Sequence, residues 1–195
     1  DFQGQFFRMD DCRLLPQPSA HVPIICAGQS ARGMRFAAEY GDYNFVSGSG
    51  MNAPERAAPG IETLVAEANR TGRDVRALVL VMVIADETDA AAQAKWEHYK
   101  RGTDHAALAW RSGQARADVN ADPNATVVRM LQPENQLPTH MPTLVGSYAT
   151  VARLLDRLAA VPGVAGAMLT FDDFLIGLEQ FGTRIQPLMP SRSQI

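Results

Sequence analysis

The chain has 195 residues, of which 46% are hydrophobic and 20% are charged. This composition is typical of a globular protein with one substantial core, and it excludes disordered and fibrous classes. The 18 basic and 21 acidic residues give a net charge of -3 without a lysine or arginine cluster, which argues against nucleic acid as a partner. The longest apolar run, 77–85, is far shorter than the roughly 20 residues that span a bilayer. We therefore expect a single cytoplasmic domain over 1–195 with no membrane contact.

The first part of the chain alternates strand and helix patterns. The apolar run at 22–27 predicts a strand, and Ser30 follows it as a helix N-cap. The helix should span 31–40 and end at Gly41. The segment 43–47 predicts a second strand.

The middle of the chain repeats this alternation. Pro59 stands at the start of a helix with apolar residues at helical spacing, which Gly72 ends. The run 78–85 is apolar at every position and rich in β-branched residues, a pattern typical of a strand covered on both faces in a parallel sheet. Thr88 should then cap a helix that reaches about residue 100.

The last part of the chain contains a segment without periodicity. A helix is predicted over 104–116, after which four prolines punctuate a loop insertion at 118–142. Ser147 should cap the next helix, 164–171 predicts a strand, and an apolar stripe over 174–185 predicts a final helix. The alternation predicts an α/β protein with a parallel sheet. Four predicted strands are too few for a closed eight-stranded barrel of about 250 residues, so the sheet is either small and open or part of a barrel.

The turn Gly28-Gln29-Ser30 is the best candidate for an anion site. Ligands of parallel α/β proteins bind at the carboxyl ends of strands, and this turn follows the first predicted strand. Glycine permits close backbone approach, while Ser30 offers its hydroxyl and a helix N-terminus to a phosphate. On spacing alone, simple capping of the helix by Ser30 is the stronger interpretation.

The next turn resembles a dinucleotide fingerprint only formally. Gly48-x-Gly50-x-x-Ala53 matches G-x-G-x-x-G/A after a strand. The fingerprint requires an acidic residue about 20 positions further on, whereas the next predicted strand ends at Asp86. We therefore expect a flexible surface turn.

The remaining polar residues identify no catalytic group. Asp172 and Asp173 follow the last predicted strand, and helix capping is favoured over acid-base chemistry or a hydrogen bond to a ligand. His98 and His105 lack a third residue at metal-ligand spacing, so no metal site is expected. His140 lies inside the predicted loop insertion, where it would matter only if that loop closed over a site. The catalytic residues stay unknown.

Several segments together carry a resemblance to a known family, which covers nearly the whole chain. These segments are 23–30 (PIICAGQS), 83–89 (VIADETD), 95–100 (KWEHYK), 144–156 (LVGSYATVARLLD), 169–174 (LTFDDF) and 184–189 (RIQPLM). They resemble the pyrimidine monooxygenases, flavin enzymes of the bacterial-luciferase-like superfamily. The resemblance implies a (β/α)8 TIM barrel, of which this chain would form only the C-terminal half.

The resemblance also implies an activity and a cofactor site. Such an enzyme opens the ring of uracil or thymine with reduced FMN and O2, giving a ureidoacrylate-type peracid in pyrimidine catabolism. A separate NAD(P)H-dependent flavin reductase would supply the reduced FMN. The motif assigns Ser30, with Gln29 beside it, to the FMN site. The alternatives are a luciferase-like monooxygenase acting on an alkanesulfonate or alkane, or an inactive fragment.

Overall fold

The structure is a computed structural model that describes residues 1–115, 117, 120, 122, 125, 128 and 141–192. Its strands are β1 (Phe2–Gln3), β2 (Arg8–Met9), β3 (Ile25–Cys26), β4 (Tyr43–Ser47), β5 (Arg76–Asp86), β6 (Thr143–Ser147) and β7 (Val164–Phe171). The longer helices among these residues are α1 (Ala31–Tyr40), α2 (Ala58–Thr71), α3 (Asp89–Arg101), α4 (His105–Ala115), α5 (Tyr148–Ala159) and α6 (Phe174–Gln180). A π-helix, Phe181–Ile185, continues α6.

Strands β3 to β7 form one parallel sheet around the long strand β5, while β1 and β2 pair separately as an antiparallel hairpin. Strand β4 pairs with residues 76–80 of β5, and β6 pairs with residues 82–86. Strand β7 also pairs with β5, over residues 77–83. The predicted α/β class with a parallel sheet is confirmed. The sheet amounts to about half of a TIM barrel and does not close within the described part of the chain.

The sheet has an outer face and an inner face, because side chains alternate along each strand. On the outer face, Val79 and Val83 of β5 are buried in one cluster with residues of α1, α2 and α5. On the inner face, Met82 and Ile84 are buried beneath Trp96 of α3. The carboxyl-terminal half of β5 is therefore covered on both faces, as its continuous apolar sequence predicts.

Side chains cap the starts of helices α1, α3, α5 and α6, as the sequence predicts. The capping residues are Ser30 for α1, Thr88 for α3, Ser147 for α5 and Asp173 for α6. Asp173 Oδ1 accepts two backbone N–H bonds, from Leu175 and Ile176, each at 3.0 Å. Each cap satisfies N–H groups that have no partner inside the helix.

Two predictions about the parallel sheet need correction. The first strand is limited to Ile25–Cys26 rather than 22–27, and Pro23 within that run has no N–H to donate to a ladder. Strand β6 was not predicted at all. Its sequence, TLVGS, has only two large apolar residues beside a preceding proline, so no strand periodicity is visible. Within the described residues, the parallel sheet consequently has five strands instead of four.

The end of the chain also differs from the predicted helix over 174–185. Helix α6 ends at Gln180, and the π-helix replaces its last turns. Ile185 is buried, whereas Phe174 and Leu178 on the same predicted stripe are 62% and 63% exposed. The predicted insertion at 118–142 lies largely outside the described residues, and His140 lies outside them entirely.

Candidate functional site

The carboxyl ends of the parallel strands meet along one edge of the sheet, where α/β proteins bind their ligands. We call this edge the rim and define it as residues 27–30, 48–53, 86–89 and 172–173. Each of these segments lies at the carboxyl end of a strand of the parallel sheet, and 86–89 includes the last residue of β5. The predicted site residues Gln29 and Ser30 both lie on the rim.

Ser30 connects the rim to the first turn of α1. Its backbone is extended (φ -66°, ψ 161°), and its Oγ accepts the Gly33 N–H at 3.1 Å. The first turn of α1 contains no acidic residue, and exposed Arg32 adds a positive charge there. Unpaired first-turn amides and the helix dipole both favour an anion at this position. Capping and anion binding are compatible, because the hydroxyl keeps a proton to donate.

Gly28 is needed for packing within this loop. A Cβ built on Gly28 would lie 2.7 Å from Gly33 Cα, which is closer than real carbon atoms approach. The loop therefore lies directly against the first turn of α1. The glycine predicted to admit a ligand serves this backbone contact.

Gln29 points into the protein rather than into solvent. Its side chain is only 5% exposed, and its Oε1 accepts the Ser47 N–H at 2.8 Å. On the neighbouring strand, buried Asn44 donates through Nδ2 to the Gly28 carbonyl oxygen at 3.1 Å. The loop that carries Ser30 is thus tied to β4 by two side-chain bonds.

The glycine-containing turn after β4 is held by hydrogen bonds to β6. Asn52, at φ 54°, accepts the Val145 N–H at 2.7 Å and donates to the Val145 carbonyl oxygen at 2.8 Å. Met51 forms a parallel bridge with Thr143. The expectation of a flexible surface turn is therefore wrong. The turn also leads into a short 3-10 helix at Pro54 rather than an α-helix that could hold a pyrophosphate.

A polar cluster links α3 to the ends of β5 and β7. Lys95 Nζ lies 3.0 Å from the Ala85 carbonyl oxygen, 3.7 Å from Asp86 Oδ2 and 3.5 Å from Asp172 Oδ2. Tyr99 donates its hydroxyl proton to Asp172 Oδ2 at 2.6 Å. Sequence reasoning considered Asp172 only with Asp173 and missed both partners. Lys95 and Tyr99 are four residues apart on α3, which places both on the same face of the helix. This spacing was the sequence signal that could have linked them.

The bond to Asp172 raises the pKa of Tyr99 to about 12, and burial adds to this effect. The carboxylate accepts a bond from the protonated hydroxyl and would repel the phenolate. A cleft of about 520 Å³ lies beside this pair. Its lining includes Met82, His98, Tyr99, Asp104, Leu108 and Asp172.

Two classes of site are not found in the described part of the chain. No group of three or more histidine, cysteine, aspartate or glutamate side chains there could hold a metal ion. No helix in the same ranges is long and apolar enough to cross a membrane.

The model of one protein family, described as luciferase-like monooxygenase, matches residues 1–163. The chain belongs to the luciferase-like monooxygenase family. The resemblance seen in the sequence and the barrel-type fold it implies are thereby confirmed. The roles of Ser30 and Gln29 stay predictions.

Individual relatives of this luciferase-like chain agree with the family match. Pyrimidine monooxygenase RutA of Variovorax paradoxus (strain S110) is 56% identical over 195 residues, which cover 100% of this chain and 53% of that protein. The protein of that name from Escherichia coli O81 (strain ED1a) is 54% identical over 100% of this chain and 51% of its own length. The chain thus spans about half the length of these curated relatives.

Solved structures show the same fold. The crystal structure of DmoA from Hyphomicrobium sulfonivorans superposes with a TM-score of 0.67 at 25% identity. The match covers 92% of this chain and 44% of that chain. The covered 44% of the DmoA chain agrees with a parallel sheet that forms about half of a barrel.

Proposed function

We propose that this chain supplies part of the flavin site of an FMN-dependent pyrimidine monooxygenase. That enzyme opens the ring of uracil or thymine with reduced FMN and O2 to a ureidoacrylate-type peracid, in pyrimidine catabolism. The observation that carries the proposal is identity of 54–56% over all 195 residues to proteins named pyrimidine monooxygenase. A luciferase-like enzyme acting on an alkanesulfonate or alkane has no comparable support.

Ser30 and the start of α1 fit the phosphate of FMN. The donors available there are the Ser30 hydroxyl and the first-turn amides, with the exposed guanidinium of Arg32 on the same turn. This set suits a dianion, since charge-assisted hydrogen bonds contribute about 1.5 to 3 kcal/mol each. Bound flavin supplies the redox chemistry, and the residues of the chain bind and orient it.

The proposal extends to the setting of the reaction. Reduced FMN would come from a separate NAD(P)H-dependent flavin reductase, and the enzyme would work in the cytoplasm with uracil or thymine and O2. Because the relatives are about twice as long as the matched region, we expect the isolated chain to be inactive. Its contribution would be cofactor binding rather than turnover.

A chimera tests this function. The chain replaces the matching region of the Variovorax paradoxus relative, and ring-opened product from uracil is measured with reduced FMN and O2. The isolated chain serves as a control and should give no product. A folded, FMN-loaded chimera that opens neither uracil nor thymine would contradict the proposed reaction.

The same chimera tests the phosphate site. Ser30→Ala should raise the FMN dissociation constant about tenfold, since it removes one charge-assisted bond. Ser112→Ala, at a serine of α4 that is not part of the rim, is the matched control. An FMN dissociation constant unchanged by Ser30→Ala would contradict the assignment of Ser30, whatever the chimera does with uracil.

A further inference from the structure

The loop that carries Ser30 begins where the backbone ladder between β3 and β4 stops. The last paired residues are Cys26 and Asn44, and continuing that register places Gln29 opposite Ser47. At this position the Gln29 side chain, through Oε1, accepts the Ser47 N–H at 2.8 Å. A side-chain carbonyl thus takes the place of the backbone carbonyl that a longer β3 would have supplied.

The polar burial around this loop is unusual for the molecule. Among the described residues, the buried polar side chains are Gln29, Asn44 and Thr143. Gln29 belongs to this loop, and Asn44 binds it, because Asn44 Nδ2 donates to the Gly28 carbonyl oxygen at 3.1 Å. Burying an amide is unfavourable unless it is hydrogen-bonded, so such groups stabilise one particular geometry.

We propose that Gln29 is a positioning residue for the anion site at Ser30. Its side chain holds the loop to β4, and this bond fixes where the Ser30 hydroxyl and the first amides of α1 point. Only 5% of the surface of Gln29 is exposed, which leaves almost no area for contact with a ligand. Gln29 therefore acts by positioning Ser30. The inference rests on the proposed function, because it assigns the anion to the phosphate of FMN.

The test compares Gln29→Leu with a matched variant outside the rim. Thr71→Val, at the end of α2, removes the side-chain bonds from Thr71 Oγ1 to the Ala38 carbonyl oxygen at 3.0 Å and to the Ala68 carbonyl oxygen at 2.9 Å. In the 195-residue chain, the dissociation constants of FMN and of riboflavin, which lacks the phosphate, are measured by flavin fluorescence. Hydrogen exchange of the Ser47 and Gly33 amides is measured without ligand.

Gln29→Leu should reduce the preference for FMN over riboflavin about tenfold, and it should speed exchange at Ser47 and Gly33 about fivefold or more. Thr71→Val should leave the preference and both exchange rates unchanged. General destabilisation would weaken both ligands alike, so the ratio reports positioning. Gln29→Glu retains an acceptor for the Ser47 N–H and should keep its exchange slow.

Three results would overturn the inference. The first is an unchanged preference for FMN in Gln29→Leu, and the second is a lost preference with unchanged exchange at Ser47, which would make Gln29 a direct ligand. The third is fast exchange at Ser47 in a folded Gln29→Glu, which also decides the matter if Gln29→Leu does not fold. If the unmutated chain shows no preference for FMN, the proposed phosphate site fails, while the exchange rates still decide whether Gln29 holds the loop.

Discussion

The outer face of the sheet and helix α6 represent opposite extremes of burial. Ile61 of α2, which packs in the core on the outer face, is fully buried. On α6, Leu175 is 84% exposed and Phe174, Ile176 and Leu178 are 54–63% exposed. A helix that is apolar around most of its surface is normally buried in a larger structure. Helices α1, α2 and α5 therefore pack against the outer face of the sheet, whereas most of the apolar surface of α6 lies exposed.

The largest expected effect on stability is in the core on the outer face of the sheet. Ile61→Ala removes a fully buried side chain from α2 and should lower the free energy of unfolding by about 2 to 5 kcal/mol. Urea denaturation followed by circular dichroism measures this change. A loss below about 1 kcal/mol would show that the outer face is not a packed core.

Gly28→Ala tests the contact between the Ser30 loop and α1. The new methyl would meet Gly33 Cα at 2.7 Å, and overpacking of this kind costs about 1 to 3 kcal/mol. Thermal unfolding should show a lower midpoint than for Gly113→Ala in α4, where a Cβ meets nothing within 4 Å. Equal midpoints for the two variants would contradict the close contact.

Asp173→Ala removes the cap of the uncovered helix. Two N–H bonds at 3.0 Å are lost, and the free energy of unfolding should fall by about 1 kcal/mol. The same denaturation measurement applies. No change would show that α6 is frayed in the isolated chain and that its cap contributes nothing.

Tyr99 provides a pH-dependent test of the link between α3 and β7. Its pKa in the folded protein is raised to about 12 from 10.0, so its contribution to stability is fully present below pH 10 and is lost as pH rises towards 12. Absorbance titration of the phenols should show one tyrosine that ionises late. Asp172→Asn should lower the pKa of that tyrosine towards 10. A tyrosine titration that is unaffected by Asp172→Asn would contradict the bond between Tyr99 and Asp172.

The smallest expected effect on stability is in the exposed helix α6. Leu175→Ala changes a side chain that is 84% exposed and should alter the free energy of unfolding by less than about 0.5 kcal/mol. The variant should also associate less in analytical ultracentrifugation, because it exposes less apolar surface. A large loss of stability would mean that α6 is packed, and the comparison with Ile61 would fail.

The local parts of this fold could be predicted from the sequence. Ser30, Thr88 and Ser147 each combine a capping side chain with a following helical pattern, and the structure confirms all three. Strand β5 was visible because it is apolar at nearly every position. Strand β6 was not visible in the sequence, because its five residues include a glycine and two hydroxyl side chains and show no clear hydrophobic period.

The contacts that shape the site could not be predicted in this way. Gln29 bonds a residue 18 positions away, and Tyr99 bonds one 73 positions away. Spacing along the chain reveals helix faces and caps, but partners on different elements depend on the register of the sheet. The strand-to-helix turn made Ser30 the anion candidate and the family resemblance assigned it to FMN, whereas the buried position of Gln29 emerges only from the structure.

The most direct test of the account is an equilibrium titration of the 195-residue chain with FMN and with riboflavin. Flavin fluorescence measures binding, and circular dichroism confirms that the chain is folded. If the start of α1 holds the phosphate, FMN should bind saturably and more tightly than riboflavin, and Ser30→Ala should remove about tenfold of that preference. A folded chain that binds both flavins equally, with or without the Ser30 hydroxyl, would contradict the account.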